Sequence, residues 1–448
     1  MIDEPIFKTY DIRGLYPSQI DEEGAYLIGK AYADFVKPGK IIVGHDVRES
    51  SIKMEKELIR GLIEQGVDVC QIGQITTDML FFAVGKYGFD GGIAVSASHN
   101  PPGYGGFKLV REEAIPITGE SGIMEIKELV KKNNFRQSAQ AGKLYQKEII
   151  ADYKKFVLSF ADVNKIKPAK IICNTLNGAM APVLKEVIAN LPLEIVWLDE
   201  NPDPKLSKGE PNPLLPERRE ETVEKIKEVG AALGVSWDGD GDRCFFFDET
   251  GEFIPAPFMT ALMVEYLGKT KPHSKVIIDS RIIRPIMGAA KKNNIQIDFA
   301  KSGRTYLQIA LREKEAYMAA EMTAHYFYKD NYYSDNGIIP FLTVLAILSE
   351  KGEKISTLVK PYREKFFMVD EVKIETTDVE SLFKKLKIFY KDGQQSDFDG
   401  LTIEYPSWRF NLRGSNTEPV AKLNIESKDK NIVEEKKQEI LSVIDGKG

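Results

Sequence analysis

The sequence predicts an α/β protein: three similar α/β domains with mixed sheets, then a smaller C-terminal α+β domain. Three observations carry this. A Lys-Pro segment followed by a short β-branched run occurs three times. After each, two further strand-like runs follow, and the last of them ends in a dense polar cluster. From about Met368 the pattern changes to alternating polar and apolar residues.

The first runs are Ile41-Ile-Val after Lys37-Pro-Gly-Lys, Ile171-Ile-Cys after Lys167-Pro-Ala-Lys, and Val276-Ile-Ile after Lys271-Pro-His-Ser-Lys. A continuous apolar run of this kind predicts a strand buried on both faces. Second strands are predicted at 67–72, 193–198 and 295–299, and third strands at 92–95, 231–235 and 317–320. Strands alternating with helical stretches imply βαβ units with mixed or parallel sheets. The apolar run Ile338–Leu348 contains Pro340 and is too short to span a bilayer, so it predicts a buried helix. Beyond Met368, the runs from Val372, Gly400 and Ser407 predict an antiparallel sheet, and 431–444 a closing helix.

Composition narrows the function. The 448 residues suit three or four domains. With 61 basic against 67 acidic side chains, the net charge of −6 argues against a general nucleic-acid binder. Cys70, Cys173 and Cys244 are far apart and lack C-x-x-C spacing, which predicts free thiols in a reducing compartment, the cytoplasm. The N-terminal stretch has neither a basic n-region nor an apolar h-region, so no signal peptide and no membrane partner are expected.

The polar clusters that end the third strands are Ser96-Ala-Ser-His-Asn-Pro, Asp238-Gly-Asp-Gly-Asp-Arg and Glu321-Met-Thr-Ala-His. Ligands bind outside the carboxyl ends of strands in open α/β sheets, so three such ends predict a composite site. Asp238, Asp240 and Asp242 alternate with glycines and can aim several oxygens at one hard cation, Mg²⁺. A calcium EF-hand is the competitor, since Glu249 falls at the twelfth position. But Arg243 stands where that loop needs Gly, and the flanks predict strands rather than helices. Arg243, beside that expected metal site, could grip phosphate or a sugar oxygen. The Ser98 loop carries hydroxyls, His99 and, downstream, Lys108, but lacks the G-x-S-x-G turn of a hydrolase. Arg413-Gly-Ser-Asn-Thr combines a forked donor with neutral donors and backbone N–H groups, an anion clamp.

Together these motifs resemble those of the α-D-phosphohexomutase superfamily across essentially the whole chain: a Ser-His-Asn-Pro loop, a D-G-D-G-D-R loop, an E-x-S-x-H loop and an R-x-S-N-T loop, in that order. The look is closest to phosphomannomutases and phosphomannomutase/phosphoglucomutases. The resemblance implies four domains around a central cleft, divided at 1–145, 146–247, 248–365 and 366–448. It implies a phosphoryl group on Ser98, and Mg²⁺ on Asp238, Asp240, Asp242 and the Ser98 phosphate. It implies sugar contacts at Glu321 and Thr323, and a phosphate clamp of Arg413, Ser415, Asn416 and Thr417. His99, Lys108, Arg243 and His325 are implied to work near the reacting groups, with Tyr10 and Arg13, from a Y-D-I-R-G stretch, supporting the site. Thr323 stands where the family usually has Ser, Ala324 where Gly is frequent, and His45 where Arg is frequent.

The implied reaction moves phosphate between O1 and O6 of a hexose, mannose and glucose, through a 1,6-bisphosphate. The implied partners are small hexose phosphates, and fourth-domain movement would exclude water. Phosphoglucosamine mutase and a catalytically silent sugar-phosphate-binding protein remain alternatives. Phosphoglucosamine mutases typically show D-G-D-A-D-R and E-x-S-G-H, which differ from the motifs here.

Overall fold

The computed structural model describes residues 4–369, 371–415 and 419–445. The chain divides into two compact units: Met1–Phe253 with Thr323–Lys354, and Ile254–Met322 with Ile355–Gly448.

In the first unit, one mixed sheet runs in the order Ile12–Leu15, Tyr104–Arg111, Gly91–Val95, Lys40–His45, Asp68–Gln74, Leu144–Gln146. Its middle is parallel and its Tyr104–Arg111 side antiparallel. Ile41, Ile42 and Val43 are fully buried, as is nearly all of Gly91–Val95, which is why these strands carry no polar alternation. Right-handed crossovers are the rule for such βαβ units; here the helices Glu49–Glu64 and Thr77–Tyr87 make the connections.

A second sheet runs Cys244–Phe247, Leu233–Trp237, Ala169–Asn174, Leu193–Leu198. Leu233–Trp237 is parallel to Ala169–Asn174 and antiparallel to Cys244–Phe247. The aspartate loop is therefore the tip of a buried hairpin closed by the Trp237–Cys244 pair. The expected helix is Ile338–Lys351, three residues longer than the apolar run. Pro340 sits in its first turn, where the N–H groups have no intrahelical acceptor. Asn336 caps that end, accepting from the N–H groups of Ile338 and Ile339 at 2.8 and 2.9 Å.

The second unit contains parallel strands in the order Gln296–Ala300, Lys275–Asp279, Met318–Ala320. It also contains the expected antiparallel sheet, built on Val420–Ser427 and Trp408–Gly414. The helices Val379–Phe389 and Lys430–Ile444 share a core with it through Leu382, Leu386, Ile440 and Val443. Buried Arg409 ties this sheet to the loop after Asp279. It donates to the carbonyls of Ser280 and Arg281, each at 2.9 Å, and to Glu426 at 3.0 Å. Glu426 in turn accepts from the N–H groups of Ile283 and Arg284, capping the helix Arg284–Asn293.

In all three repeats the third strand lies parallel beside the first: Gly91–Val95 on Lys40–His45, Leu233–Trp237 on Ala169–Asn174, and Met318–Ala320 on Lys275–Asp279. The three polar clusters thus leave equivalent strand ends.

One buried network joins three helices of the first unit. Asp78, in the first turn of Thr77–Tyr87, accepts from the Tyr153 hydroxyl and from Asn336 Nδ2, the latter at 2.6 Å. Burial pushes the Asp78 carboxyl up to about 7, and the negative Asp335 and Asp242 add to this. An unfolded Asp titrates near about 3.9. Below that both states hold the proton; between about 4 and 7 only the folded state does, so stability falls by about 1.4 kcal/mol per pH unit as pH rises. Asp78→Asn removes this term. Thermal melts at pH 5 and 7.5 should therefore show the variant gaining on the parent by several degrees at the higher pH. Parallel curves would contradict the assignment.

Candidate active site

The Ser98 loop departs from the buried strand Gly91–Val95 and turns sharply. Ser98 takes a left-handed conformation (φ 50°), its N–H donating to Ser96 Oγ at 2.9 Å. Arg48 clamps the loop from behind. Its guanidinium donates to the carbonyls of Ser98, Asn100 and Pro101 at 3.0, 2.5 and 2.9 Å. Asp46 completes the clamp, accepting from the N–H groups of Ala97 and Arg48. On the other side Arg13 donates to Asn100 Oδ1 at 2.6 Å and pairs with Asp11; Tyr10 is half-buried beside that pair. Ser98 Oγ lies 3.1 Å from His99 Nδ1. Burial, Arg243 and Arg13 push the imidazole well below the usual histidine value, so it is neutral at physiological pH.

The aspartate loop fits against this one because Gly239 has no side chain. A Cβ there would lie 2.6 Å from the Ser98 carbonyl oxygen. Asp238, Asp240 and Asp242 are at most 1% exposed. Each offers an oxygen within 4.8 Å of the others. Three buried carboxylates this close repel strongly, and the chain answers with cations. Arg243 donates its N–H and Nε to Asp238 at 3.1 and 2.7 Å. Lys108 Nζ reaches Asp240 Oδ2 and Asp242 Oδ2, each at 2.6 Å. The Thr77 hydroxyl also donates to Asp240, and its N–H to the Asp240 carbonyl at 3.0 Å.

The balance is incomplete. Burial pushes Asp238 up to about 6, against Arg243, with Asp242 and Asp240 adding to the push. Burial and Asp242 push Asp240 up as well, but Lys108 and Thr77 outweigh them and hold it low. Among the described residues, buried Asp240 Oδ1 and Arg243 NH2 have no hydrogen-bond partner. An all-oxygen set with one unmatched carboxylate oxygen fits a hard divalent cation, and Asp238, Asp240 and Asp242 could hold it.

His325 joins the same cluster. Arg243 and His325 form an isolated antiparallel bridge, and the Cys244 N–H donates to the Ala324 carbonyl at 3.1 Å. His325 Nε2 lies 3.3 Å from Asp242 Oδ1 and 3.9 Å from Asp335. Thr323 Oγ1 lies 3.3 Å from His325 Nδ1. The structure therefore brings together Ser98, His99, Lys108, the three aspartates, Arg243, His325 and Thr323, with Arg13 at the rim. Adjacent Ser98 and His99 come within hydrogen-bond distance of each other.

The second unit holds the remaining residues. Fully buried Arg281 pairs with Asp279 and with Glu321, each at 3.0 Å. The Asp279 carboxylate also accepts from the Met322 N–H at 2.7 Å, fixing the turn that carries Glu321. Arg413 projects from Trp408–Gly414, and the Ser415 N–H closes on the Val420 carbonyl at 2.8 Å. Asn416 and Thr417 lie outside the described residues.

Sequence reasoning missed Arg48, Thr77, Asp335 and Arg281. Thr77 carried a signal: Thr76-Thr77-Asp78 directly follows the strand Asp68–Gln74, itself another parallel strand end. Arg48 carried none, because it acts by gripping backbone about fifty residues away, and Arg281 reaches Glu321 from forty residues away.

The comparisons with known proteins agree with this geometry. Residues 4–137, 145–251 and 258–366 match, in order, the models for α/β/α domains I, II and III of phosphoglucomutase/phosphomannomutase. The chain is 37% identical over 449 residues to a phosphomannomutase of Escherichia coli, covering 98% of each. It is 34% identical to a Xanthomonas campestris protein described as phosphohexose mutases, covering 99% of each. A phosphoglucomutase/phosphomannomutase family protein from Burkholderia thailandensis shares its fold with a TM-score of 0.90 at 28% identity, over 99% of this chain and 98% of that one. Among the described residues no helix is long and apolar enough to cross a membrane. With its strand-end loops, its buried acidic triad and its full-length relatives, the chain belongs to the phosphoglucomutase/phosphomannomutase family, isomerases of the α-D-phosphohexomutase superfamily.

Proposed function

We propose that the protein interconverts hexose 1-phosphates and hexose 6-phosphates, mannose and glucose phosphates foremost, through a phosphoserine at Ser98 and a 1,6-bisphosphate. One observation carries the reading: a left-handed, 5% exposed serine whose loop interlocks with a buried, under-neutralised carboxylate triad. A hydroxyl has little reason to be held there unless it carries a group that needs those charges.

Phosphoserine 98 gives its phosphoryl group to the free sugar hydroxyl. The bond from phosphorus to Oγ breaks, a bond to the sugar oxygen forms, and the hydroxyl proton passes to a base. The bisphosphate turns over, and its other phosphoryl group returns to Ser98. Lys108 and His325 are the candidates for moving the proton; both are held by the aspartates that flank the reaction. Neutral His99 orients Ser98 Oγ. Arg243 spends its N–H and Nε on Asp238 and keeps NH2 for a phosphoryl oxygen. Mg²⁺ on Asp238, Asp240 and Asp242 would neutralise charge on the transferring group. Glu321 and Thr323 contact sugar hydroxyls. Arg413 and Ser415, with Asn416 and Thr417, hold the idle phosphate, and Tyr10 and Arg13 support the Ser98 loop. The four functional loops divide the chain at 1–145, 146–247, 248–365 and 366–448. Ser98 itself is 5% exposed, which limits the access of water to the phosphoserine.

Intact mass should show one phosphoryl group, removable by phosphatase and absent from Ser98→Ala. A protein without phosphate that stays inactive after addition of glucose 1,6-bisphosphate would instead be a silent binder. A coupled assay with mannose, glucose and glucosamine phosphates then ranks the sugars, and a preference for glucosamine phosphate would favour the phosphoglucosamine mutase reading. Asp240→Ala should lose turnover by about a hundredfold or more while its circular dichroism stays unchanged; near-parental rates would refute the metal assignment.

A further inference from the structure

Thr77 grips Asp240 at two points. Its N–H lies in the first turn of the helix Thr77–Tyr87, where no intrahelical acceptor is available, and donates to the Asp240 carbonyl at 3.0 Å. Its hydroxyl bonds to Asp240 Oδ2. The direction of that bond is fixed by Lys108, whose Nζ lies 3.1 Å from the same Thr77 Oγ1. An ammonium can only donate, so the hydroxyl accepts from Lys108 and spends its one proton on Asp240. Thr77 is 1% exposed, so water does not compete for either bond.

A glycine lets the two segments meet. A Cβ on Gly241 would lie 2.9 Å from Thr76 Cγ2. With its backbone and its carboxylate held by one neighbour, Asp240 has little freedom to turn about its Cα–Cβ bond. The hold is also one-sided. The donors to this carboxylate, Thr77, Lys108 at 2.6 Å and Ser96 at 3.5 Å, all fall on Oδ2. Oδ1 is buried and has no hydrogen-bond partner among the described residues. One oxygen is therefore occupied and the other is presented. Lys108 is poorly suited to maintain this once a cation arrives: it is shared with Asp242 Oδ2 at 2.6 Å, and a divalent cation would repel it. The neutral Thr77 hydroxyl meets no such repulsion.

We propose that Thr77 is a positioning residue of the metal site: it turns Asp240 so that Oδ1 faces the cation, and thereby sets the affinity for a divalent cation. This rests on the reading of Asp238, Asp240 and Asp242 as metal ligands. Residues that orient a ligand from behind typically carry about ten- to a hundredfold in metal affinity. Thr77 acts through Asp240 and contacts no reacting atom.

The test titrates the full chain with Mn²⁺ and reads free Mn²⁺ by electron paramagnetic resonance. Parent and variants are first treated with phosphatase and checked by intact mass, so that all share one phosphorylation state. The quantity compared is the binding that Asp240→Ala abolishes. Thr77→Val keeps the branched shape and removes the hydroxyl, and should weaken this binding about tenfold or more. Thr77→Ser returns the hydroxyl and should bind within about threefold of the parent. A role confined to packing predicts the opposite order, since Val keeps the branching that Ser lacks. Should Thr77→Val fail to fold, Thr77→Ala serves in its place. Binding within about twofold of the parent in a folded Val or Ala variant overturns the proposal, as does Thr77→Ser binding as weakly as Thr77→Val. If the parent holds no Mn²⁺, or Asp240→Ala leaves its binding intact, the metal reading fails instead.

Discussion

Three carboxylates with almost no water around them are an unstable arrangement unless cations are supplied, and the first unit is organised by that demand. Asp238, Asp240 and Asp242 sit at the tip of a hairpin whose strands are wholly buried. Lys108 arrives from the strand antiparallel to the one that launches the Ser98 loop, and Arg243 from the end of the aspartate loop itself. Thr77 brings a hydroxyl and a helix N-terminus from a third segment. Each partner that quiets the aspartates therefore also ties a separate segment to the aspartate loop. Even so, one Asp240 oxygen stays unmatched among the described residues. The unspent charge is what a divalent cation and a phosphoryl group would use.

In the second unit the buried group is a cation, and carboxylates hold it. Fully buried Arg281 lies between Asp279 and Glu321, each at 3.0 Å. The structural cost falls on buried groups such as Asp78, whose carboxyl is pushed up to about 7 by burial and the nearby acids.

Much of this was legible in the sequence because it was local. The runs from Ile41, Ile171 and Val276 became central parallel strands. The polar cluster after each third strand became a strand-end loop, since a continuous apolar run can only be interior and must emerge somewhere. The convergence of the three aspartates was legible in the Asp-Gly-Asp-Gly-Asp spacing, because glycines between carboxylates allow both the turn and the close approach of Gly239 to the Ser98 loop. What stayed hidden depends on pairing between distant segments. Nothing near Arg48 predicts that it holds three carbonyls about fifty residues away. Nothing near Arg281 predicts that it reaches Glu321, forty residues away. Lys108 was legible as a charged residue after a glycine-rich loop, but not as the counter-ion of Asp240 and Asp242.

That last contact offers the most direct test. If the triad is a metal site, Lys108 is holding two carboxylate oxygens that a divalent cation would claim. A crystal structure of the protein grown with Mn²⁺ should show an anomalous peak within bonding distance of Asp238, Asp240 and Asp242, with Lys108 Nζ withdrawn from at least one of the two carboxylates it now bridges. An empty triad at saturating Mn²⁺, with Lys108 still 2.6 Å from both Asp240 and Asp242, would contradict the account.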